Sequence, residues 1–140
     1  MSFSIEAGGA LSTVMLFLAH LGLCAAYIQG GLVKLTDFPG AVVEMIDFRL
    51  TPPALFAVLV IALELGASVM VLTGFLRWLG ALALAGFTLL STLIALRFWA
   101  QPAGEARRAD ENAFFEHLGL IGGLLLVAWV DLARNPSLDL

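Results

Sequence analysis

The chain has 140 residues, of which 61% are hydrophobic and only 13% are charged. A soluble domain carries about 25% charged residues, so this composition indicates a membrane protein, and the length allows one domain over residues 1–140. The net charge of −4 argues against nucleic acid as a partner, and the single cysteine, Cys24, excludes a disulfide or a cysteine-based metal cluster within the chain.

Four apolar runs follow one another, at about 8–33, 53–74, 76–100 and 112–133. Each is long enough to cross a hydrocarbon core of about 30 Å as a helix, and runs of this length satisfy their backbone hydrogen bonds in lipid only as helices. We therefore predict an all-α fold, an integral membrane four-helix transmembrane bundle. No Lys or Arg precedes the first run, so neither a signal peptide nor a lipoprotein signal is expected.

The first run carries a polar stripe on one helical face. Its members recur every seven residues, with a cysteine and a glycine on the same side: Thr13, His20, Tyr27 and Lys34, with Cys24 and Gly31. The stripe serves either as ordinary helix packing or as part of a functional site. The Gly30–Gly31 pair leaves open whether the helix continues as far as Lys34.

The first loop, at 35–51, is predicted to contain a short amphipathic helix. Thr36 or Asp37 is placed to cap it, and Pro39 suits its first turn. The apolar face predicted for this helix consists of Phe38, Val42, Met45 and Ile46, with Glu44 and Asp47 turned away. Such a helix lies in the membrane interface or closes one end of the bundle, as a connector or as a gate.

The second run contains one charge between Pro53 and Gly74, and this charge is Glu64, near the middle of the span. An ionisable group at that depth costs about 2.5 to 3.5 kcal/mol on insertion scales, so it usually faces the bundle interior and has a partner. His20 lies at a similar depth in its own run, and we predict that His20 and Glu64 form a central catalytic pair. Lys34 is the alternative partner if the chain folds inward there.

The third and fourth runs add small residues and further polar candidates. Gly74 and Arg77 mark a tight turn that makes the second and third spans antiparallel neighbours. Arg97, followed by two aromatic residues, fits a membrane boundary. The loop at 101–112 is predicted to be mobile and to lie in water.

The fourth span has two polar faces. One face is predicted to point into the bundle through a close-packing glycine pair, and it consists of Asn112, Glu116, Gly119 and Gly123. His117 lies on another face, where it either makes an interfacial hydrogen bond or binds a ligand.

The basic residues predict the orientation. Five of them fall on the side of the two long loops: Lys34, Arg49, Arg97, Arg107 and Arg108. Only Arg77 and Arg134 fall on the other side. Because Lys and Arg concentrate in cytoplasmic loops, the long loops are predicted to face the cytoplasm and both termini the outside.

Four segments, in order, resemble the DoxX family of four-helix membrane proteins. They are GGLVKLTDFPG at 30–40, LELGASVMVLTGFLRWLGALAL at 63–84, ENAFFEHLGLIGGLLLVA at 111–128 and the tail Ser137-Leu138-Asp139. Two departures are Ala67, in place of a glycine, and a turn before Arg77 that lacks the family's threonine. The resemblance implies a multi-pass protein of the bacterial inner membrane. It also implies that the recurrent polar positions of the family correspond here to Lys34, Glu64, Asn112 and Glu116.

The family takes its name from a subunit of a thiosulfate:quinone oxidoreductase, so the resemblance implies a quinone-linked redox subunit that works with a partner protein. Two alternatives stay open, a non-catalytic membrane anchor or assembly subunit and a small transporter or proton-conducting protein; a homo-oligomer is also compatible. Quinone is the one cofactor predicted, and no metal site is. The ligand-binding candidates beside the catalytic His20 and Glu64 are Tyr27, Lys34, Arg97, Asn112, Glu116 and His117.

Overall fold

The computed structural model describes residues 2–136, with side chains from residue 8 onward. Over this range it contains five α-helices and one 3-10 helix: α1 Ser2–Thr36, α2 Phe38–Asp47, α3 Pro53–Thr73, α4 Arg77–Ala95, the 3-10 helix Phe98–Ala100 and α5 Glu105–Arg134. Four stretches are long and apolar enough to cross a membrane: Gly8–Thr36, Pro53–Thr73, Arg77–Ala100 and Glu105–Arg134. The predicted fold class is confirmed, including the short helix in the first loop.

The outer surface of the bundle is apolar. The side chains of Val69, Phe115 and Trp129 remain 58%, 58% and 71% exposed. Soluble monomers rarely expose continuous apolar surface on this scale, whereas the hydrocarbon chains of a bilayer solvate it. The surface therefore faces lipid.

Helix α1 continues without a break through its glycine pair and carries Lys34 into the bundle. A Cβ on the buried Gly31 would lie 2.7 Å from the Leu65 side chain, so the glycine lets α1 and α3 approach closely. Tyr27 is buried on the same face, whereas Thr13 is exposed and donates a hydrogen bond to a carbonyl of its own helix. The predicted polar stripe thus faces the interior only in the second half of α1.

A tight turn joins α3 to α4, as predicted. Gly74 ends α3 with a φ of 83°, a left-handed conformation that glycine adopts without a Cβ clash. Arg77 Nε donates to the Val71 carbonyl at 2.8 Å and satisfies one of the last carbonyls of α3. Gly80 then packs directly on the α3 backbone, because a Cβ there would lie 2.8 Å from the Ala67 carbonyl oxygen. We call this end of the bundle the turn end and the opposite end, which holds the α2–α3 and α4–α5 connections, the loop end.

Helices α4 and α5 run antiparallel and are hydrogen-bonded near both ends. The Trp78 backbone N–H, in the first turn of α4, donates to the Asp131 carboxylate at 3.1 Å. A carboxylate is stabilised there by the unpaired N–H groups of the helix N-terminus. Thr92 and His117 form the second hydrogen bond, at 2.8 Å between the hydroxyl oxygen and Nδ1.

The prediction of a mobile loop at 101–112 is wrong for most of that range. Helix α5 begins at Glu105, so only residues 101–104 connect it to the 3-10 helix. Residues 105–109 are Glu, Ala and Arg, which are good helix formers, and a helix end in water needs no apolar face. The Gln101 side-chain amide also donates to the Asp110 carboxylate, which ties the connection to the helix.

The prediction of which face of α5 points into the bundle is also wrong. Three of its four members are exposed: Asn112, Glu116 and Gly119. A Cβ at Gly119 would meet nothing within 4 Å, whereas one at Gly123 would lie 3.0 Å from Leu23. The inward face instead carries His117 and, seven residues later, the fully buried Leu124, so the glycine spacing does not mark the packed side.

Helix α2 begins where the sequence predicts. Of the two candidate caps, Asp37 is the one used: its carboxylate accepts a hydrogen bond from the Gly40 backbone N–H at 3.1 Å, and Pro39 occupies the first turn. Thr36 instead ends α1 and bonds back to the carbonyls of that helix.

Helix α2 packs on the first half of α3. Ala41 and Met45 are buried against Ala57 in a small apolar cluster separate from the main core. The predicted apolar face is correct except for Ile46, which is 55% exposed. Ala41, one turn before Met45, was not predicted for that face and is 3% exposed.

Candidate functional site

An ion pair between α1 and α3 lies at the centre of the bundle. Lys34 Nζ is 3.4 Å from each of the two carboxylate oxygens of Glu64, and the two side chains are 15% and 7% exposed. Glu64 is 11 residues after Pro53 and nine before Thr73, about 14 to 16 Å from either end of α3. A charge at this depth requires a partner, and Lys34 supplies it.

Two consecutive glycines make room for this pair. A Cβ at Gly30 would lie 3.3 Å from the nearer Glu64 carboxylate oxygen and 3.5 Å from Lys34 Nζ, so any side chain there would press on both charges. Gly31 brings the two helices together, as described above. The segment GGLVK therefore sets both the approach of α1 to α3 and the position of the ammonium one turn later.

The predicted pairing of His20 with Glu64 is wrong. His20 lies towards the turn end, beside a separate crevice that Arg77, Asp131 and Arg134 also line. It is ten residues, or about 15 Å of helix, from Gly30, which faces Glu64. The apolar run of α1 extends past the turn end, so the middle of that run does not coincide with the middle of the bundle.

A cavity of about 320 Å³ adjoins the ion pair. Its walls come from α1 to α4 and the α2–α3 connection, and they are mostly apolar and aromatic: Met45, Phe48, Leu50, Phe56, Val60, Phe87, Leu90 and Ile94, with Lys34, Glu44 and Ser91 as the polar members. Sites for small apolar ligands have this size and this mixture of many apolar walls with few polar groups.

The Lys34 ammonium has one hydrogen to spare for this cavity. An ammonium carries three N–H donors, and two of them are directed to the two oxygens of Glu64. Among the residues that the structure describes, Lys34 has no further hydrogen-bond acceptor. Because Lys34 also lines the cavity, its third N–H is free for an acceptor on a bound molecule.

Tyr27 supports the cavity wall from behind. Its hydroxyl is hydrogen-bonded to the Thr88 hydroxyl, which in turn donates to the Leu84 carbonyl at 2.7 Å, so Tyr27 is the donor of the first bond. The Tyr27 ring meets Phe87 edge-on, with ring centroids 6.5 Å apart. Tyr27 therefore holds the aromatic wall in place and does not itself line the cavity.

The remaining candidates lie elsewhere. Arg97, Asn112 and Glu116 are exposed. His117 is hydrogen-bonded through Nδ1 to the Thr92 hydroxyl, between α4 and α5. The described residues contain no group of three or more His, Cys, Asp or Glu side chains that could hold a metal ion.

Several cavity residues were not identified from the sequence. They are Phe48, Phe56, Phe87 and Ser91, together with Glu44 of α2. The available signal was the amphipathic pattern of the first loop, which predicted a helix but not that this helix closes a cavity beside Lys34.

Four spanning helices around a buried charged pair define an integral membrane protein. The chain matches the DoxX family model over residues 15–97, more than half of its length, and it belongs to that family. It is similar to the inner membrane protein YphA of Escherichia coli (strain K12), with 26% identity over 120 residues that cover 86% of this chain and 85% of that protein. No solved structure shows significant similarity.

The predicted family and location are therefore confirmed, and the chain is a multi-pass protein of the bacterial inner membrane. The matched range contains the ion pair and every residue that lines the cavity beside it. The tail at 137–139, which also entered the resemblance, lies outside the described residues.

Proposed function

We propose that the cavity binds the ring of a membrane quinone and that the protein is the quinone-binding membrane subunit of an oxidoreductase. The observation that carries this proposal is the free N–H of Lys34 at the wall of an aromatic cavity. A quinone ring is flat, apolar and bounded by two carbonyl oxygens, so it needs aromatic walls and hydrogen-bond donors at its edge.

The polar residues of the cavity suit the two edges of such a ring. Lys34 lies on α1 and donates to one carbonyl oxygen. Ser91 lies across the cavity on α4, where its hydroxyl donates to the Thr88 carbonyl at 3.1 Å. The Ser91 oxygen keeps its lone pairs and accepts a hydrogen bond from the reduced, hydroxyl form of the ring.

Reduction of a quinone to a quinol takes up two electrons and two protons. In this proposal the electrons come from the redox centre of a partner protein, since the chain has no nucleotide or flavin motif and a single cysteine. Lys34 would pass the first proton to the ring oxygen that it contacts, and the Glu64 carboxylate would take up a proton that enters from water and return it to the Lys34 amine across the 3.4 Å contact. A second proton that enters from water would protonate the other ring oxygen. Glu44, which is exposed on α2 and also lines the cavity, would be the group placed to bring protons in.

Co-purification of quinone tests this proposal. The protein is purified in a mild detergent and its bound lipids are identified by mass spectrometry. Lys34→Met removes the donor and is expected to lower the quinone recovered per chain by about tenfold, the effect of losing one hydrogen bond from a charged group.

A matched pair of variants separates loss of the cavity from general damage. Val60→Phe fills the cavity and should also remove the quinone, whereas Val58→Phe, on an exposed face of the same helix, should retain it. Equal quinone content in Val60→Phe and Val58→Phe, with both proteins folded, would contradict binding in this cavity.

One observation favours the alternative of a non-catalytic membrane anchor. The ion pair is satisfied within the chain, and it joins α1 to α3 as a structural contact would. An anchor predicts a stable partner polypeptide and no bound quinone, so the same purification, analysed for proteins as well as lipids, distinguishes the two functions.

A further inference from the structure

A second concave site lies between α1 and α5 at the turn end. This crevice has a volume of about 510 Å³. It is separate from the cavity beside Lys34 and shares no lining residue with it. The proposed function makes no use of it.

The crevice is polar at one end and apolar along the rest of its length. Arg77, Asp131 and Arg134 lie at the turn end, with His20 of α1 beside them. The apolar walls are Leu16 and Leu23 of α1, on either side of His20 along that helix, and Leu126, Val127 and Val130 of α5, which lead towards the middle of the bundle. Gly123, at the inner end, is 11 residues or about 16 Å of helix from Arg134.

The charges at the polar end are unbalanced. The Asp131 carboxylate already accepts the Trp78 backbone N–H at 3.1 Å. Arg77 uses its Nε on the Val71 carbonyl at 2.8 Å, which fixes the guanidinium in place and leaves its terminal nitrogens. Among the residues that the structure describes, neither Arg77 nor Arg134 forms a salt bridge. Two guanidinium groups therefore face the crevice with donors to spare.

We propose that the crevice binds one anionic phospholipid. The phosphate lies between Arg77 and Arg134, with His20 as a further donor, and one acyl chain lies along the apolar wall of α5. Guanidinium groups are well matched to phosphate oxygens, to which they donate two parallel hydrogen bonds. The dimensions agree, because the apolar stretch from Arg134 to Gly123 is as long as about half a bilayer core.

The test uses the full chain in detergent, stripped of lipid and titrated with two lipids of the same palmitoyl-oleoyl chains. The first is the anionic phosphatidylglycerol and the second the zwitterionic phosphatidylethanolamine; native mass spectrometry counts the lipids bound per chain. We expect one phosphatidylglycerol to be retained with about fivefold preference, and Arg134→Gln to abolish that preference.

Arg108→Gln is the matched control, since Arg108 is an exposed arginine on the same helix at the loop end. It should leave the preference unchanged. Val127→Trp fills the apolar part of the crevice and should lower retention of both lipids, with the thermal midpoint of unfolding showing that the variant is folded. Arg77→Gln is a secondary variant, because Arg77 also bonds α3.

Three results would overturn the proposal. The first is equal retention of the two lipids by the wild-type chain. The second is an unchanged preference in a folded Arg134→Gln protein. The third is a chain that binds no lipid and forms a dimer that Val127→Trp disrupts, which would make the crevice a contact between two copies.

Discussion

Lys34 and Glu64 stabilise the bundle as a pair, and either residue without the other destabilises it. Removal of one partner from a buried ion pair leaves an uncompensated charge, which costs about 3 kcal/mol, whereas replacement of both by apolar residues is often neutral. We therefore expect Lys34→Met and Glu64→Leu each to lower the thermal midpoint, and the double variant to recover most of the loss. Thermal unfolding of all four proteins in one detergent gives the coupling free energy.

Independent, additive effects of the two substitutions would show that the 3.4 Å contact carries no stability. Glu64→Gln adds a functional readout to this cycle. Combined with Lys34→Met it removes both charges while nearly preserving the shape of the carboxyl group, so the pair of changes separates folding from proton transfer. Wild-type quinone-dependent activity in a folded Glu64→Gln protein within its complex would contradict the role of Glu64 as a proton carrier.

The sequence identified Glu64, but of the two candidate partners it favoured His20 over Lys34, which the structure pairs with Glu64. Glu64 is conspicuous because it is the one charge in an apolar run. The free-energy cost of placing a charge in such a run can be estimated from the composition alone. Its partner depends on the vertical offset between α1 and α3, which two glycines and the Leu65 side chain set by direct contact. Apolar periodicity carries no information about that offset, so His20 appeared to lie at the right depth when it does not.

At the scale of the helices, the contact between α3 and α4 depends on Gly80. A methyl group there would lie 2.8 Å from the Ala67 carbonyl oxygen and 2.9 Å from the Met70 Cβ, atoms that move only if the helices separate. Gly80→Ala is therefore expected to destabilise the bundle by about 2 kcal/mol through overpacking. The measurement is thermal or denaturant unfolding in detergent.

Gly86 on the same helix provides the control for that experiment. A Cβ at Gly86 meets nothing within 4 Å, so Gly86→Ala should be neutral or slightly stabilising, since alanine is the better helix former. Equal destabilisation by the two substitutions would mean that glycine matters here for a reason other than helix contact.

The cap of α2 predicts a smaller effect. Asp37→Ala removes the acceptor for the Gly40 backbone N–H, and loss of such a cap costs about 1 kcal/mol of helix stability. Hydrogen exchange over residues 38–47 should accelerate in Asp37→Ala, while Asp37→Asn, which keeps an acceptor oxygen, should remain close to wild type. No change in exchange would show that packing against Ala57 alone holds the helix.

Helices were easier to predict than the faces they bury. The four spans and α2 follow from apolar length and from cap chemistry, which are local properties of the chain. The side of α5 that is buried in the bundle cannot be predicted in this way. A helix that faces lipid is apolar on its outer side as well, so the usual contrast between a polar, water-facing side and an apolar, buried side is missing. Gly119 therefore pointed to the wrong side, although Gly123 packs on Leu23, and His117 marked the buried side.

At the scale of the whole molecule, the orientation rests on fewer charges than the sequence suggested. Lys34 is withdrawn into the ion pair, so the count of basic residues at the loop end falls from five to four against two at the turn end. The remaining excess still predicts that the loop end faces the cytoplasm. A cysteine at the exposed Ala106 should then resist an impermeant thiol reagent in intact cells, whereas one at Phe75 in the α3–α4 turn should react.

Cys24 is 0% exposed, so a Cys24→Ser background removes the native thiol without touching the surface. Broken cells provide the reference for full accessibility of both introduced cysteines. Rapid labelling at Ala106 and protection at Phe75 in intact cells would reverse the orientation of the whole chain.

The buried ion pair also has a consequence for the assembly of the protein during synthesis. The two charges belong to segments that leave the ribosome one after the other, α1 with its lysine first and α3 with its carboxylate some 30 residues later. Until α3 is inserted, the Lys34 ammonium near the end of α1 can only be solvated by water or paired with lipid headgroups. Helix α1 therefore cannot take its final depth in the membrane before then. The insertion of α3 into the membrane and the movement of α1 to its final depth are therefore coupled, because the charge on each helix neutralises the charge on the other.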